Sequence, residues 1–337
     1  MLIERFDAVT DTRQLRSCFD IAAESWQVDT PHLPAWSFGS FSGKWGQGYD
    51  SYPRQCWLAS DASGVAVGCY LLTLPEPENP TLATVILTVR PGRRRAGTGT
   101  DLLAHCAGQA RAAGRTRLTG YAWDGSPGAA FAAAAGARGG ITDVSRTLEV
   151  DEALPARLTS LREGALRYAA GYSLLTWLGA TPEEYLADVA RVHAAMADAP
   201  RDEGVEPSVW DVDRVRRFDA TAAAHGVVFY SAAARDFKSG EFAALTQICT
   251  DPGAPGWGIQ QVTAVRPEHR GHRLGLLVKI AMLELLASEV PDVRRFITGN
   301  AGSNGHMISI NEQLGFAVVG CLRSWELDIT AGSTAQS

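Results

Sequence analysis

Val89-Arg90-Pro91 in "TVRPGRRRAGTG" recurs as Val265-Arg266-Pro267 in "AVRPEHRGHRLG", 176 positions later, and at the same offset Arg94 falls on Arg270 and Gly99 on Gly275. A repeat of this period in 337 residues constrains the fold more than any other feature, because each copy must be a structural unit built to one plan. The surroundings repeat too. "CWLAS", "VAVGCYLLTL" and "LATVILTV" precede the first basic segment, and "GVVFYSAAA", "EFAALTQI" and "IQQVTAV" precede the second. Apolar runs separated by turn residues predict three strands in each copy. "GTDLLAHCAGQARAAG" and "LGLLVKIAMLELLASEV" follow, with apolar residues at helical spacing. Each copy then continues with a short strand ("TRLTGYAW", "RRFITGN"), another helix, and a β-rich close ("ITDVSRTLEV", "AVVGCLRSWELDI"). Two α/β units of similar size are expected. They would meet within 150–170, where "DEALPARLTSLREGALRYAAG" is too poor in Gly and Ser for a flexible linker.

The basic segments are local devices, because the whole chain carries a formal net charge of -6. An acidic balance argues against nucleic acid as the main partner. "YAAGYSLLTWLGATP" is too short to span a bilayer, and the start lacks a basic region followed by an apolar core, so no membrane partner and no secretory signal are expected. Six scattered cysteines without a CxxC fit reduced thiols in a cytoplasm. No His, Cys or Asp cluster has metal-ligand spacing, so no metal is expected.

A strand, a turn, a Gly-rich basic loop and a helix make an anion-binding arrangement. The first turn of the helix offers unpaired N–H groups and the positive end of a dipole, and glycines let the backbone close on a phosphate. The spacing is Arg94-x-x-Gly97-x-Gly99 in copy one and Arg270-x-x-Arg273-x-Gly275 in copy two. Neither is a dinucleotide fingerprint or a Walker loop. A solvated turn whose charges only aid solubility is the plainer alternative, and recurrence in matched context weakens it.

"TAVRPEHRGHRLGLLVKIAMLELL" followed by "FITGNAGSNGHMISINEQLGF" resembles the GNAT superfamily of acyl-CoA-dependent N-acetyltransferases, and the resemblance covers both halves. It implies an α/β (α+β) fold of two GNAT-like domains, 1–152 and 168–330, each a mixed, mainly antiparallel sheet flanked by helices. Mycothiol synthase shares this architecture. Acetyl-CoA is implied as co-substrate. By the family's [RQ]-x-x-G-x-[GA] pattern, Val265 lines the pantetheine, and Arg270, Gly271, His272, Arg273, Leu274 and Gly275 cradle the phosphates. Val89, Arg94, Gly97 and Gly99 are the corresponding set in copy one. Arg273 departs from the pattern, standing where the family has Gly; its side chain should turn away from the phosphates or reach one.

The family's next element places Asn304 against CoA and Asn311 where a Tyr often protonates the departing thiolate. Asparagine is no general acid, but it can donate a hydrogen bond. Copy one is poorer, with Gly125 at the Asn position and Ala132 at the Tyr position. Copy two is therefore expected to be catalytic, and copy one a CoA holder or scaffold.

Acetyl transfer needs a base for the amine, a donor for the oxyanion, and help for the thiolate. The family's oxyanion donor is a backbone N–H freed by a bulge in the strand before Val265. Its frequent strand Glu is absent, since Gln260 and Gln261 stand there. Glu206, Asp211, Glu241, His306 and Glu326 are the other candidates, each also readable as a surface, capping or exposed strand residue. Acidic residues beside Trp210 in 200–215 suit a cationic amine. In copy one, Trp26, Trp36, Trp45, Tyr49 and Tyr52 form either a lid or ordinary packing. The expected activity is acetyl transfer to a primary amine of a small molecule, by a monomer or homodimer. The alternatives are a non-catalytic acyl-CoA-binding or sensing protein and a protein or peptide N-acetyltransferase.

Overall fold

A computed structural model describes residues 1–48 and 52–330. The chain divides into two compact units that do not follow chain order: 1–142 with 202–206 and 321–337, and 143–201 with 207–320.

The first unit begins β1 (Leu2–Phe6), α1 (Thr12–Asp29), α2 (Phe38–Gly46), β2 (Arg54–Ser60), β3 (Ala66–Thr73), β4 (Leu82–Val89). It continues α3 (Thr98–Ala112), β5 (Arg117–Trp123), α4 (Pro127–Ala134) and the start of β6 (Arg138–Glu149). β1 to β4 pair antiparallel in chain order. α1 buries Leu15, Cys18, Ile21, Ala22 and Ser25, a stripe at helical spacing that faces the sheet. The aromatic loop is packing: Phe41 stacks on Trp45 with ring centroids 4.9 Å apart, and Trp26 meets Phe19 edge-on at 6.1 Å. Tyr49 lies outside the described residues.

The second unit starts in β6 and runs α5 (Leu154–Leu166), β7 (Tyr172–Leu178), α6 (Leu186–Ala194), α7 (Val212–Ala224), β8 (Val228–Asp236). Then come β9 (Phe242–Thr250), β10 (Trp257–Val265), α8 (Leu274–Glu289), β11 (Arg295–Ala301), α9 (Gly305–Leu314) and β12 (Ala317–Asp328). From β7 to β12 the order repeats that from β1 to β6, so the duplication is structural. β9 is buried along its whole length, and α8 is buried continuously from Leu274 to Leu283, where every residue but Lys279 is apolar.

The closing strands are exchanged. Leu322–Asp328 of β12 pair antiparallel with β5 in the first unit, and Asp143–Glu149 of β6 pair antiparallel with β11 in the second. The ranges expected from the sequence, 1–152 and 168–330, take no account of this exchange. Among the described residues no helix is long and apolar enough to cross a membrane, and no group of three or more His, Cys, Asp or Glu is placed to hold a metal.

Candidate functional site

β10 and β11 run parallel, yet they pair only from Trp257–Arg295 to Ile259–Ile297. Beyond that point they part. Gln260–Val265 and Thr298–Asn300 become opposite walls of a cleft of about 910 Å³, closed at one end by the basic loop and α9. Divergence leaves the backbone groups of β10 facing the cleft without a strand partner, which suits an extended amide-bearing ligand.

A bulge lies on this wall. On the β9 side Gln260 pairs with Ile248, but Val262 pairs with Gln247, so Gln261 is an extra residue left out of the ladder. The first unit has no such feature. β4 and β5 also part after three parallel pairs, but β4 pairs with β3 in unbroken register from Gly68–Val89 to Thr73–Thr84.

After β10 the chain makes a short 3-10 turn at Pro267–His269 and enters α8. Gly271 (φ +85°) and Arg273 (φ +54°) are left-handed; their counterparts in the first unit, Arg95 (φ +65°) and Gly97 (φ +86°), are left-handed too. The same two backbone positions are inverted in both loops, with glycine and arginine interchanged. Arg273 therefore carries a backbone conformation that costs an L residue about 1–2 kcal/mol. Its guanidinium lies 5.0 Å from the ring centre of Tyr168, which is where the side chain goes. Neither α8 nor α3 has a side-chain N-cap, so the first-turn N–H groups remain for a ligand.

The loop arginines are turned to the protein's own acids. Arg270 Nη2 donates to Asp198 Oδ2 at 2.5 Å, and Arg266 pairs with Glu241 and Glu268 at 2.7 and 2.6 Å. In the first unit Arg94 grips Asp29 through both Nη atoms at 2.8 and 2.7 Å, holding that carboxyl below its usual range, and also reaches Ser25. His272 Nδ1 lies 3.0 Å from the Tyr168 carbonyl. What this loop leaves unpaired is therefore chiefly its backbone N–H groups, which suit an anion. Gly275 serves packing: a Cβ there would come within 3.3 Å of Ile310 and 3.5 Å of Val265.

The structure brings Val265, Arg270, Gly271, Arg273, Leu274, Gly275, Asn304 and His306 to one cleft. In the first unit Val89, Arg94, Gly97 and Gly99 line a cleft of about 860 Å³. Asn304 caps α9, its Oδ1 accepting from Met307 N at 3.3 Å. The corresponding cap of α4 is Ser126, which accepts from Ala129 N. The sequence alignment on Gly125 and Ala132 is therefore one residue short. Seven residues beyond each cap stand Asn311 and Ala133.

Asn311 is fully buried and does not line the cleft; its Nδ2 donates at 2.6 Å to Oδ1 of Asn300, which does. Glu206 belongs to the first unit, where its carboxylate accepts from Asn79 N at 2.8 Å and its own N–H donates to the Asn79 side chain. Asp211 caps α7 by accepting from Arg214 N at 2.7 Å. Glu241 is held below the usual carboxylate range by Arg266, and Glu326 pairs with Arg117 and Arg138 in the first unit. His306 alone of the base candidates lines the cleft, with no hydrogen-bond or ion-pair partner among the described residues.

One residue beside the site went unread in the sequence. Lys279 on α8 is 2% exposed, and burial pushes its ammonium down to about 7. Its Nζ donates to Gln260 Oε1 at 3.0 Å. One lysine in the otherwise apolar run "LGLLVKIAML" was the available signal.

Splayed strands, a bulge on one of them and an amide-rich turn into a helix are the arrangement that the GNAT resemblance implies. By fold the chain is of the tandem GNAT type. Among solved structures it is similar to a tandem GNAT protein from the clavulanic acid biosynthesis pathway, at 28% identity and TM-score 0.81, over 98% of this chain and 99% of that one. It also shares its fold with a GCN5-related N-acetyltransferase from Sphaerobacter thermophilus, at 16% identity and TM-score 0.65, over 98% and 96% of the two chains. No family model matches the sequence, and no curated protein is similar to it by sequence.

Proposed function

We propose that the second unit transfers an acetyl group from acetyl-CoA to a primary amine of a small molecule. The observation that carries this reading is the bulge at Gln261, present in the cleft of the second unit and missing from that of the first. It takes a backbone N–H out of the ladder on the wall where β10 and β11 part, and such a donor stabilises an oxyanion. The cleft suits acetyl-CoA: the amides from Gly271 into α8 meet the pyrophosphate, and the open edge of β10 up to Val265 meets the pantetheine arm. Bound there, acetyl-CoA supplies the activated acyl group. His306 takes the proton of the attacking amine, and the Asn311–Asn300 pair steadies the leaving sulfur side through the Asn300 amide. Asn304 fixes the N-terminus of α9 beside it. The first unit, with an analogous loop and an unbulged strand, binds CoA or serves as scaffold. The protein acts in the cytoplasm as a monomer or homodimer; its six unpaired cysteines support that compartment.

The buried Asn311 and the engagement of every acidic candidate favour a second reading, in which the chain binds acyl-CoA without turnover. Release of free CoA thiol, measured with acetyl-CoA and a panel of primary amines, separates them. Thiol release that depends on one amine supports the transferase. Tight CoA binding by calorimetry with no release for any amine supports the binder.

A further inference from the structure

A strand bulge strands polar groups, and something must receive them. Around Gln261 that receiver is the side chain of Gln260. Its Nε2 lies within donating distance of Gln247 O on β9 (2.7 Å), Val262 O on β10 (2.8 Å) and Thr246 Oγ1 (3.0 Å), so it ties the two carbonyls on either side of the irregularity. Thr246 Oγ1 in turn lies 3.1 Å from Val262 O and 2.8 Å from Thr263 Oγ1. Gln260 can present its amide this way only if Oε1 is satisfied on the core side, and Lys279 Nζ does that at 3.0 Å. Lys279 reaches that point from α8 beneath the sheet, with its ammonium 5.3 Å from the ring centre of Phe316.

The first unit supplies the comparison. Val85 pairs with Leu72 as Gln260 pairs with Ile248, and Leu72 and Ile248 are 176 positions apart, so Val85 is the ladder counterpart of Gln260. Leu103 is the α3 counterpart of Lys279 at the same offset. Val85 and Leu103 pack against one hydrophobic cluster, and β4 there has no bulge. Where the two positions are apolar the strand is regular; where they are glutamine and lysine it bulges.

We infer that Gln260 and Lys279 are positioning residues for acyl transfer, a linked pair that holds β10 bulged at Gln261 so that a backbone N–H faces the reacting carbonyl. This rests on the transferase reading. Neither residue needs to touch substrate: Lys279 acts through Gln260, and Gln260 acts through the backbone of its own strand. Lys279 requires only an N–H toward Oε1, which the amine supplies in either protonation state.

The test replaces each residue by its first-unit counterpart, Gln260→Val and Lys279→Leu, singly and together, with Lys279→Gln as a variant that keeps an N–H donor. Acetyl-CoA affinity, measured by calorimetry, should fall far less than kcat, because the phosphate loop is untouched while only the β10 edge is altered. Loss of one oxyanion donor lowers kcat by roughly 10²–10³. Gln260→Val and Lys279→Leu should each show that loss, the double variant should be no slower than the slower single, and Lys279→Gln should recover much of the rate. Should Lys279→Leu fail to fold, Gln260→Val, at a half-buried position, still decides. Hydrogen exchange at the Gln261 and Val262 amides gives a readout independent of turnover: adjacent amides of a regular strand point to opposite edges, so one of the two should become protected in the variants as the ladder with β9 closes. Unchanged kcat in a folded Gln260→Val, or single losses that multiply in the double variant, overturns the inference. Absence of turnover in the wild type overturns the transferase reading instead, and the pair then stands or falls on the exchange result.

Discussion

Lowering the pH from 6.5 to 4 should destabilise the second unit through one buried side chain, His193 on α6. Its ring is 7% exposed and stacks on Trp210 with centroids 4.0 Å apart and planes 20° from parallel. Nε2 lies 3.0 Å from Gln247 Oε1, an oxygen that only accepts, so the neutral ring carries its proton on Nε2. Burial pushes the imidazole down to about 4, and the charge of Arg214, whose guanidinium stands 5.2 Å from the Trp210 ring centre, acts in the same direction. The unfolded chain takes up this proton near 6.5, whereas the folded chain resists it until about 4. Between those values the unfolded state binds more protons, so stability present above pH 6.5 is lost as pH falls. The interval corresponds to about 3 kcal/mol, a large share of the stability of an ordinary domain. The assay is urea unfolding followed by Trp fluorescence at half-unit steps from pH 7 to 4, for the wild type and His193→Phe. Phenylalanine keeps a ring against Trp210 and cannot titrate. The variant starts less stable at pH 7, because Gln247 Oε1 loses its donor, but its curve should fall less steeply and meet the wild-type curve toward pH 4. Parallel curves, or an NMR titration of His193 with a midpoint near 6.5, would refute the reasoning.

Asp198→Asn should tighten acetyl-CoA binding roughly 2- to 5-fold, because it removes a carboxylate from the phosphate end of the cleft and frees Arg270. Calorimetry in low and high salt checks it, and the gain should shrink as salt rises. His306→Gln should lower kcat by roughly 10²–10⁴ while leaving the acetyl-CoA KM within about twofold; steady-state thiol release reports both. Arg273→Gly should be more stable than Arg273→Ala by about 1 kcal/mol in chemical denaturation, since both lose the contact with Tyr168 and only glycine relieves the left-handed backbone.

Much of the frame was legible because it is repeated. Runs such as "LATVILTV" and "IQQVTAV" carry enough local preference to name strands, and two basic loops in matched context named the anion site. The first strand of each copy was missed: "LIERF" is short, exposed at three of its five positions and breaks its apolar run with Glu-Arg, and "YSLLTWL" hides in an uncharged stretch that invites a membrane question first. The exchange of β6 and β12 has no local signature, because a strand's pattern is the same whichever sheet edge receives it. Glu206 and Glu326 looked available for catalysis for a similar reason. A carboxylate's partner, here Asn79 or Arg117, lies more than a hundred positions away and cannot be read from spacing.

The family resemblance implied a bulge before Val265, but the alignment that revealed the repeat does not show it. Registered on the loops, the copies differ by 176 positions at Val89 and Val265; registered by strand pairing before the bulge, Thr84 opposite Thr73 corresponds to Ile259 opposite Cys249, an offset of 175. One inserted residue is invisible to a match scored on the loop side. Its physical trace lies elsewhere, in the lysine of α8. Lowering an ammonium from its ordinary value to about 7 costs the fold about 5 kcal/mol near neutral pH, relieved as pH rises toward 10.5. Leu103 fills the matching position of α3 without that penalty. A core that tolerates a cation in one copy and a leucine in the other differs in what the adjoining strand must do, not in how the frame is built. A charge buried on the core face of the helix is therefore the mark of the copy whose strand is irregular. By that mark, Lys279 sets the second unit apart independently of the loop motifs, on which the two copies are nearly tied.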